Sequence, residues 1–140
     1  MNVLLDTNVL SEPMRARPNS RALLWLHELD EDRAFMSVVT LAEIRRGVPL
    51  LDPGRRWQAL SDWLEHDLPE RFEGRLLQID AAIALAWGDV MAGAKRAGRG
   101  LSSMDGLLAA TALAHDLTLA TRNIKDFEGL GIRLIDPWLT

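Results

Sequence analysis

Cysteine is absent, which excludes disulfides and thiolate metal sites and fits a reducing compartment. Long apolar runs are absent too: every uninterrupted hydrophobic stretch falls far short of the ~18 residues needed to span a bilayer. The first ten residues are apolar but broken by Asp6, with no basic stretch ahead of them, so no secretory signal is expected. Lysine is scarce. Of sixteen basic residues only Lys95 and Lys125 are lysines; the rest are arginines, whose planar donor fork suits phosphates and carboxylates. Genomic base bias produces the same composition. A net charge of −4 counts mildly against a nucleic-acid binder, although acids gathered around a metal lower the total without facing the ligand. A cytoplasmic protein with no membrane association is the expectation.

What is present is a chain of 140 residues, 48% apolar and 26% charged, which predicts one folded domain over 1–140 with a substantial core. Strand and helix signals alternate. "NVLLD", "RAFMSV", "GRLLQID", "LTLAT" and "GIRLID" read as short strands. Helical spacing appears in "RPNSRALLWLHELDED" and in "VTLAEIRRGVPLL", the latter stopped by Gly47 and Pro49. "PGRRWQALSDWLEHD" starts near Pro53 and puts Trp57, Leu60, Trp63 and Leu64 on one face, to pack within the subunit or to meet a partner. "AAIALAWGDVMAGAKRAG" carries a stripe of Ile83, Trp87, Val90, Met91 and Ala94, and "SSMDGLLAATALAHD" is apolar nearly all round, so buried. "RNIKDFEGL" reads as the turn between the last two strands. The pattern predicts an α/β fold: a central, mainly parallel sheet of about five short strands, flanked by helices. In such folds ligands bind beyond the carboxyl ends of the strands.

Four acids fall where a strand hands over to a helix, or just inside that helix: Asp6 in "LLDTN", Glu43 in "SVVTLAEIRRG", Asp105 in "LSSMDGLLAA" and Asp126 in "TRNIKDF". Parallel strands end along one edge, so acids distant in sequence can meet there. Gathered carboxylates raise one another's pKa and resist ionisation. A hard dication such as Mg²⁺ or Mn²⁺ reverses that cost, and it supports water activation and phosphodiester chemistry. Singly, each acid also has a structural reading. Thr40-x-x-Glu43, Ser102-x-x-Asp105 and Asn123-x-x-Asp126 match a capping box or a close variant, and Ser37 is an alternative cap that moves Glu43 into the second turn. Asp6 can order an Asx-type turn, but a simple cap does not call for its apolar flanks.

In this order and context, these residues resemble the PIN-domain nucleases, most closely the VapC-type toxins of toxin–antitoxin pairs, including the FitB-like branch. The resemblance is carried by "LLDTNVLSEP", "SVVTLAEIRRG" and "LSSMDGLLAATALAHDLTLATRNIKDFEGLGIRLIDPW", and is weakest over about residues 50 to 78. It implies a PIN-like sandwich and Mg²⁺-dependent endoribonuclease activity, with Mn²⁺ able to substitute, on a structured RNA such as tRNA or rRNA. Asp6, Glu43 and Asp105 correspond to the three metal-binding acids, with Asp126 as a fourth, more variable one; in many relatives an acid stands at the place of Asn123 instead. Thr7 and Asn8 resemble the pair that supports the first acid, and Thr121 the hydroxyl of the "TRN" turn. The resemblance further implies a homodimer, a VapB-type antitoxin that inserts a segment into the active-site groove, and a higher toxin–antitoxin assembly.

Other features have two readings. Lys95, Arg96 and Arg99 in "AKRAGRG" can grip RNA phosphates or simply close a helix at Gly98. Arg45 and Arg46 pose the same choice. Arg15, Arg17 and Arg21 read as a solvated face, and His27, His66 and His115 lack metal-ligand spacing. Two rival functions remain: a phosphoryl-accepting α/β domain with Asp6 as nucleophile and Lys125 as phosphate partner, and a PIN-fold binding module without catalysis. Asn8 counts against the first, standing where a dehalogenase-type site needs a second acid. The retained acids count against the second.

Overall fold

The structure is a computed structural model that describes residues 1–48 and 54–140. At its centre β1 (Val3–Leu5), β2 (Ala34–Ser37), β3 (Leu76–Leu77), β4 (Thr118–Ala120) and β5 (Leu134–Ile135) form one sheet in the order β3-β2-β1-β4-β5. Every neighbouring pair is parallel, with Leu4 opposite Phe35 on one side and Leu119 on the other. The strands run outward from β1 through β2 to β3. The chain then crosses back through α6 (Ala81–Arg96) and α7 (Ser103–Ala114) to set β4 on the other flank of β1. Strand order therefore reverses at the β1/β4 seam, the place where open α/β sheets hold ligands.

Side chains alternate across the strands, and both faces are covered. Val3, Leu5, Ala34, Met36 and Ala120 pack against Val9 and Leu10 of α1 (Thr7–Leu10), Ile44 of α3 (Val38–Gly47), and Leu64, Leu68 and Phe72. Leu4 and Leu119 face the other way, onto Leu108, Ala109 and Ala112 of α7 and Phe127. α2 (Ser20–Glu28) starts at Asn19, whose side chain accepts from Ala22 N at 3.0 Å. α6 starts at Asp80, accepting from Ile83 N at 3.0 Å. α6 ends in a Schellman motif: Gly98 adopts φ +69°, its N–H reaches Lys95 O at 3.0 Å, and Arg99 N–H reaches Ala94 O at 2.8 Å. Lys95 and Arg96 in that last turn also complement the helix dipole.

α6 and α7 meet where Gly106 is buried. A Cβ there would come within 2.4 Å of Met91 Sδ and 3.1 Å of Trp87 Nε1. Trp87 cannot easily retreat, because its indole N–H donates to Ser103 O at 3.1 Å.

Some expectations change. The segment read as one amphipathic helix is α4 (Arg55–Asp62) followed by a π-helical stretch, Trp63–Asp67, and the helix runs on past it as α5 (Leu68–Arg71). Leu64 is buried, and Trp57, Leu60 and Trp63 pack against the same core, so this face is used within the subunit. The "RNIKDFEGL" turn contains a short helix, α8 (Ile124–Phe127), because Phe127 is drawn into the second core cluster. α7 is not buried along its whole length: its last residues, Leu113 and Ala114, are exposed. Pro49 and Pro53, read as helix boundaries, lie outside the described residues. Among the described residues, no helix is long and apolar enough to cross a membrane.

Candidate active site

Asp6 follows directly from β1, and its N–H continues the β1/β4 ladder onto Ala120 O at 3.0 Å. The side chain is only 6% exposed. Oδ1 accepts from Thr7 N–H at 2.7 Å, as a cap of α1. Oδ2 accepts from the Thr121 hydroxyl at 2.7 Å and, at 3.4 Å, from the Asn8 amide. Asn8 returns to the same turn, its Oδ1 accepting from Arg122 N–H at 3.2 Å, and Thr121 Oγ1 also accepts from Asn123 N–H at 3.0 Å. One carboxylate thus ties the end of β1 to the end of β4 across 115 residues. The apolar flanks of Asp6 are strand and core; its polarity serves the seam between them.

Glu43 arrives from the other side of the sequence. Ser37, buried, caps α3 by accepting from Val39 N–H at 3.0 Å, so Glu43 stands in the second turn. Thr40 is not the cap: it is buried, and its hydroxyl has no partner among the described residues. The Thr7 hydroxyl donates to Glu43 Oε1 at 3.1 Å, bridging the first and second acids. Asp105 lies in the first turn of α7, where its N–H donates to the capping Ser102 hydroxyl at 3.1 Å.

The three carboxyls feel one another. Burial pushes the Asp6 carboxyl up, against the pull of its Thr121, Thr7 and Asn8 donors, and the charge of Asp105 pushes further. Glu43 is raised by burial and then by the charges of Asp6 and Asp105, with the Thr7 hydroxyl and Arg46 opposing. Asp105 is raised by burial and by Asp126, with the Ser102 hydroxyl opposing. Asp126 is exposed on α8 but close enough for its charge to reach Asp105, whereas the Asn123 side chain makes no capping bond and only its backbone touches the network.

All the converging donors are oxygens. Among the described residues, no group of three or more His, Cys, Asp or Glu is arranged to hold a metal ion by itself. Carboxylate oxygens are the ligand type that Mg²⁺ or Mn²⁺ takes, one or two directly with the remaining positions filled by water. The three histidines are exposed and away from this cluster.

The basic residues divide. Lys95 and Arg96 are exposed in the closing turn of α6, and Arg99 donates to Lys125 O at 3.0 Å, pinning α6 to α8; none of the three hydrogen-bonds to the acids. Arg45 pairs with Glu65 and so is turned toward the π-helical stretch, leaving Arg46 as the one whose charge reaches Glu43. Two features had no sequence signal. One is the Thr7–Glu43 bond, between residues 36 apart. The other is Arg122, whose guanidinium lies 5.2 Å from the Trp138 ring centroid beside the Thr121 turn.

Residues 3–131 match the PIN domain family. The chain is 39% identical to Toxin FitB of Neisseria gonorrhoeae, covering 97% of this chain and 98% of that protein. It is 35% identical to VapC ribonuclease Y4jK of Sinorhizobium fredii, covering 97% of each. The solved structure of FitAcB from Neisseria gonorrhoeae superposes with a TM-score of 0.92 at 38% identity, covering 99% of both chains.

Proposed function

The chain belongs to the PIN domain family, and we propose that it is a metal-dependent endoribonuclease acting as the toxin of a toxin–antitoxin pair. One observation carries the reading: the Asp6 carboxylate is buried at the β1/β4 seam, the Thr7 hydroxyl beside it bridges to Glu43, and the charge of Asp105 reaches both of these acids. A fold does not retain such mutual repulsion for stability; a cation or a charged substrate makes use of it.

Asp6 and Asp105 would hold the ion, Mg²⁺ or Mn²⁺, with Glu43 contributing directly or through water. Once bound, the ion supplies positive charge where a phosphodiester develops negative charge and eases deprotonation of the attacking water. The protein's own groups do the rest. Thr121, Thr7 and Asn8 lock the Asp6 carboxylate in one orientation, so no reorganisation is needed when charge builds up nearby. The Thr7 hydroxyl occupies Glu43 Oε1 and leaves the other oxygen to take a proton from water. Asp126 and Arg46 set the field at either end of the cluster. As the toxin of such a pair, the chain has a small protein antitoxin as its partner, and it works as a homodimer in the cytoplasm.

The test is cleavage of total RNA by purified protein, with the new 5′ ends mapped. Wild type cleaves with Mg²⁺ or Mn²⁺ and poorly with Ca²⁺. Asp6→Ala and Asp105→Ala each lose activity by at least ~100-fold while keeping the fold. Full turnover in excess chelator, or undiminished cleavage by the double variant, would refute the proposal.

A further inference from the structure

Arg122 directly follows Thr121, the residue whose hydroxyl holds Asp6. Its backbone belongs to the same network: the N–H donates to Asn8 Oδ1 at 3.2 Å, and the Asn8 amide donates in turn to Asp6. Its side chain is placed as well. The exposed guanidinium lies 5.2 Å from the Trp138 ring centroid, and Trp138 itself packs against the first core cluster. Stacking uses the flat face of a guanidinium and leaves the N–H donors along its edge open. Among the described residues, none of those donors makes a hydrogen bond and no carboxylate pairs with Arg122. Other surface arginines differ: Arg15, Arg45, Arg71 and Arg133 each pair with an acid. Arg122 also lines an open hollow of about 530 Å³, together with Asn123, Lys125, Asp126 and Asp136. Of these acids, Asp126 is the one whose charge reaches Asp105, and Asp136 Oδ1 is taken by the Trp138 N–H at 2.8 Å.

A planar donor fork with its edge open and its face stacked recognises an oxyanion with two acceptor oxygens, a phosphate or a carboxylate. Its position favours the phosphate. A polynucleotide cut at Asp6, Glu43 and Asp105 must lay its neighbouring phosphates beside that cluster, and the carboxylates repel them. A cation anchored next to Thr121 offsets the repulsion where the polyanion has to pass. Resting on the endoribonuclease reading, we propose that Arg122 is a substrate-binding residue that clamps one RNA phosphate flanking the bond to be cut. Trp138 is its positioning residue: the indole holds the guanidinium in place before substrate arrives, so less side-chain freedom is lost on binding. A contact of this kind sets the register of the strand over the acids and reads no base.

The experiment uses a single-stranded oligoribonucleotide spanning a mapped cleavage site, with one uncharged methylphosphonate linkage moved through it position by position. In wild type, kcat/KM falls about tenfold when the neutral linkage occupies one position flanking the cut. Arg122→Ala loses a similar factor on the fully charged strand, and the neutral linkage at that position costs it nothing more. The slope of log(kcat/KM) against log salt becomes shallower by about 0.7 in Arg122→Ala and stays unchanged in Arg133→Ala, which removes the same charge elsewhere. Trp138→Leu keeps the cation but frees it, so the penalty at that position shrinks while the salt slope holds; Trp138→Phe restores the penalty. A flanking penalty of equal size in wild type and Arg122→Ala overturns the proposal. So does an Arg122→Ala protein with lowered Tm but unaltered RNA kinetics, which makes the stack purely structural. Intact RNA kinetics with weakened antitoxin binding would assign Arg122 to a partner's carboxylate and overturn it too. In each of these cases metal-dependent cleavage by wild type persists, so the endoribonuclease reading stands; if wild type cuts no RNA with metal, both fall.

Discussion

Asp6 is the residue on which the site turns, and its apolar flanks already marked it in the sequence. An acid between a core strand and a core helix needs partners, and the structure supplies three donors. Which partners they are was not legible, because Thr121 and Thr7 act through side chains brought together by the sheet rather than by spacing. The cap of α3 shows the same limit: Thr40 and Ser37 both fit the pattern, and burial decides for Ser37. Thr121→Val leaves Asp6 Oδ2 with only the longer Asn8 contact and the Asn123 N–H without its partner. It is expected to cost about 1–3 kcal/mol, read by denaturant unfolding, and to lower kcat with the metal site still occupied. The pKa directions give a second prediction. Asp6, Glu43 and Asp105 are all raised, so the folded state holds their protons more tightly than the unfolded state does. Without metal, their contribution to stability is therefore present at low pH and lost as pH rises from the ordinary carboxylate range through the raised values. Asp6→Asn removes part of this. The Tm difference between Asp6→Asn and wild type should move in the variant's favour from about pH 4 to about pH 7 in chelator; a difference that does not change with pH contradicts the assignment.

At the scale of elements, period and punctuation carried most of the information. Asn19, Asp80 and Ser102 each cap a helix where the pattern changes, and Gly98 ends α6 with the positive φ that its position after "AKRA" suggested. The π-helical stretch was not legible. Its residues continue an amphipathic helix, and what inserts the extra residue is tertiary packing of Leu64 and Leu68 on one core. α8 was hidden because four residues are too few for a period to show. Helix-on-helix packing gives the prediction here. Gly106 is the point of closest approach of α7 to Trp87 and Met91, and it is the neighbour of Asp105. Gly106→Val overpacks this contact and should destabilise the fold by about 2–3 kcal/mol. It should also reduce cleavage at temperatures where the protein remains folded, because α7 shifts and carries Asp105 with it. Unfolding curves and initial rates on the same preparation check both.

For the whole molecule, alternation of strand and helix signals was enough to predict a parallel sheet covered on both faces. Strand order was not legible, since nothing local says that β4 returns to the far side of β1. That return creates the seam, and under the proposed function a dication would relieve the repulsion gathered there. Mn²⁺ at about one hundred times its Kd should stabilise the wild type by about 2.7 kcal/mol, a rise of about 5–10 °C in Tm for a chain of this size. The double variant Asp6→Asn, Asp105→Asn should show almost none of it; an equal shift in both proteins would place the ion elsewhere. The same topology dictates timing. β1 is translated well before its second neighbour β4, and the Thr121 hydroxyl that orients Asp6 follows 115 residues later. Until translation reaches that point, the nascent polypeptide lacks a competent catalytic centre. A product terminated before β4 leaves β1 with a bare edge for the quality-control proteases to read, and the proposed cleavage cannot begin from it.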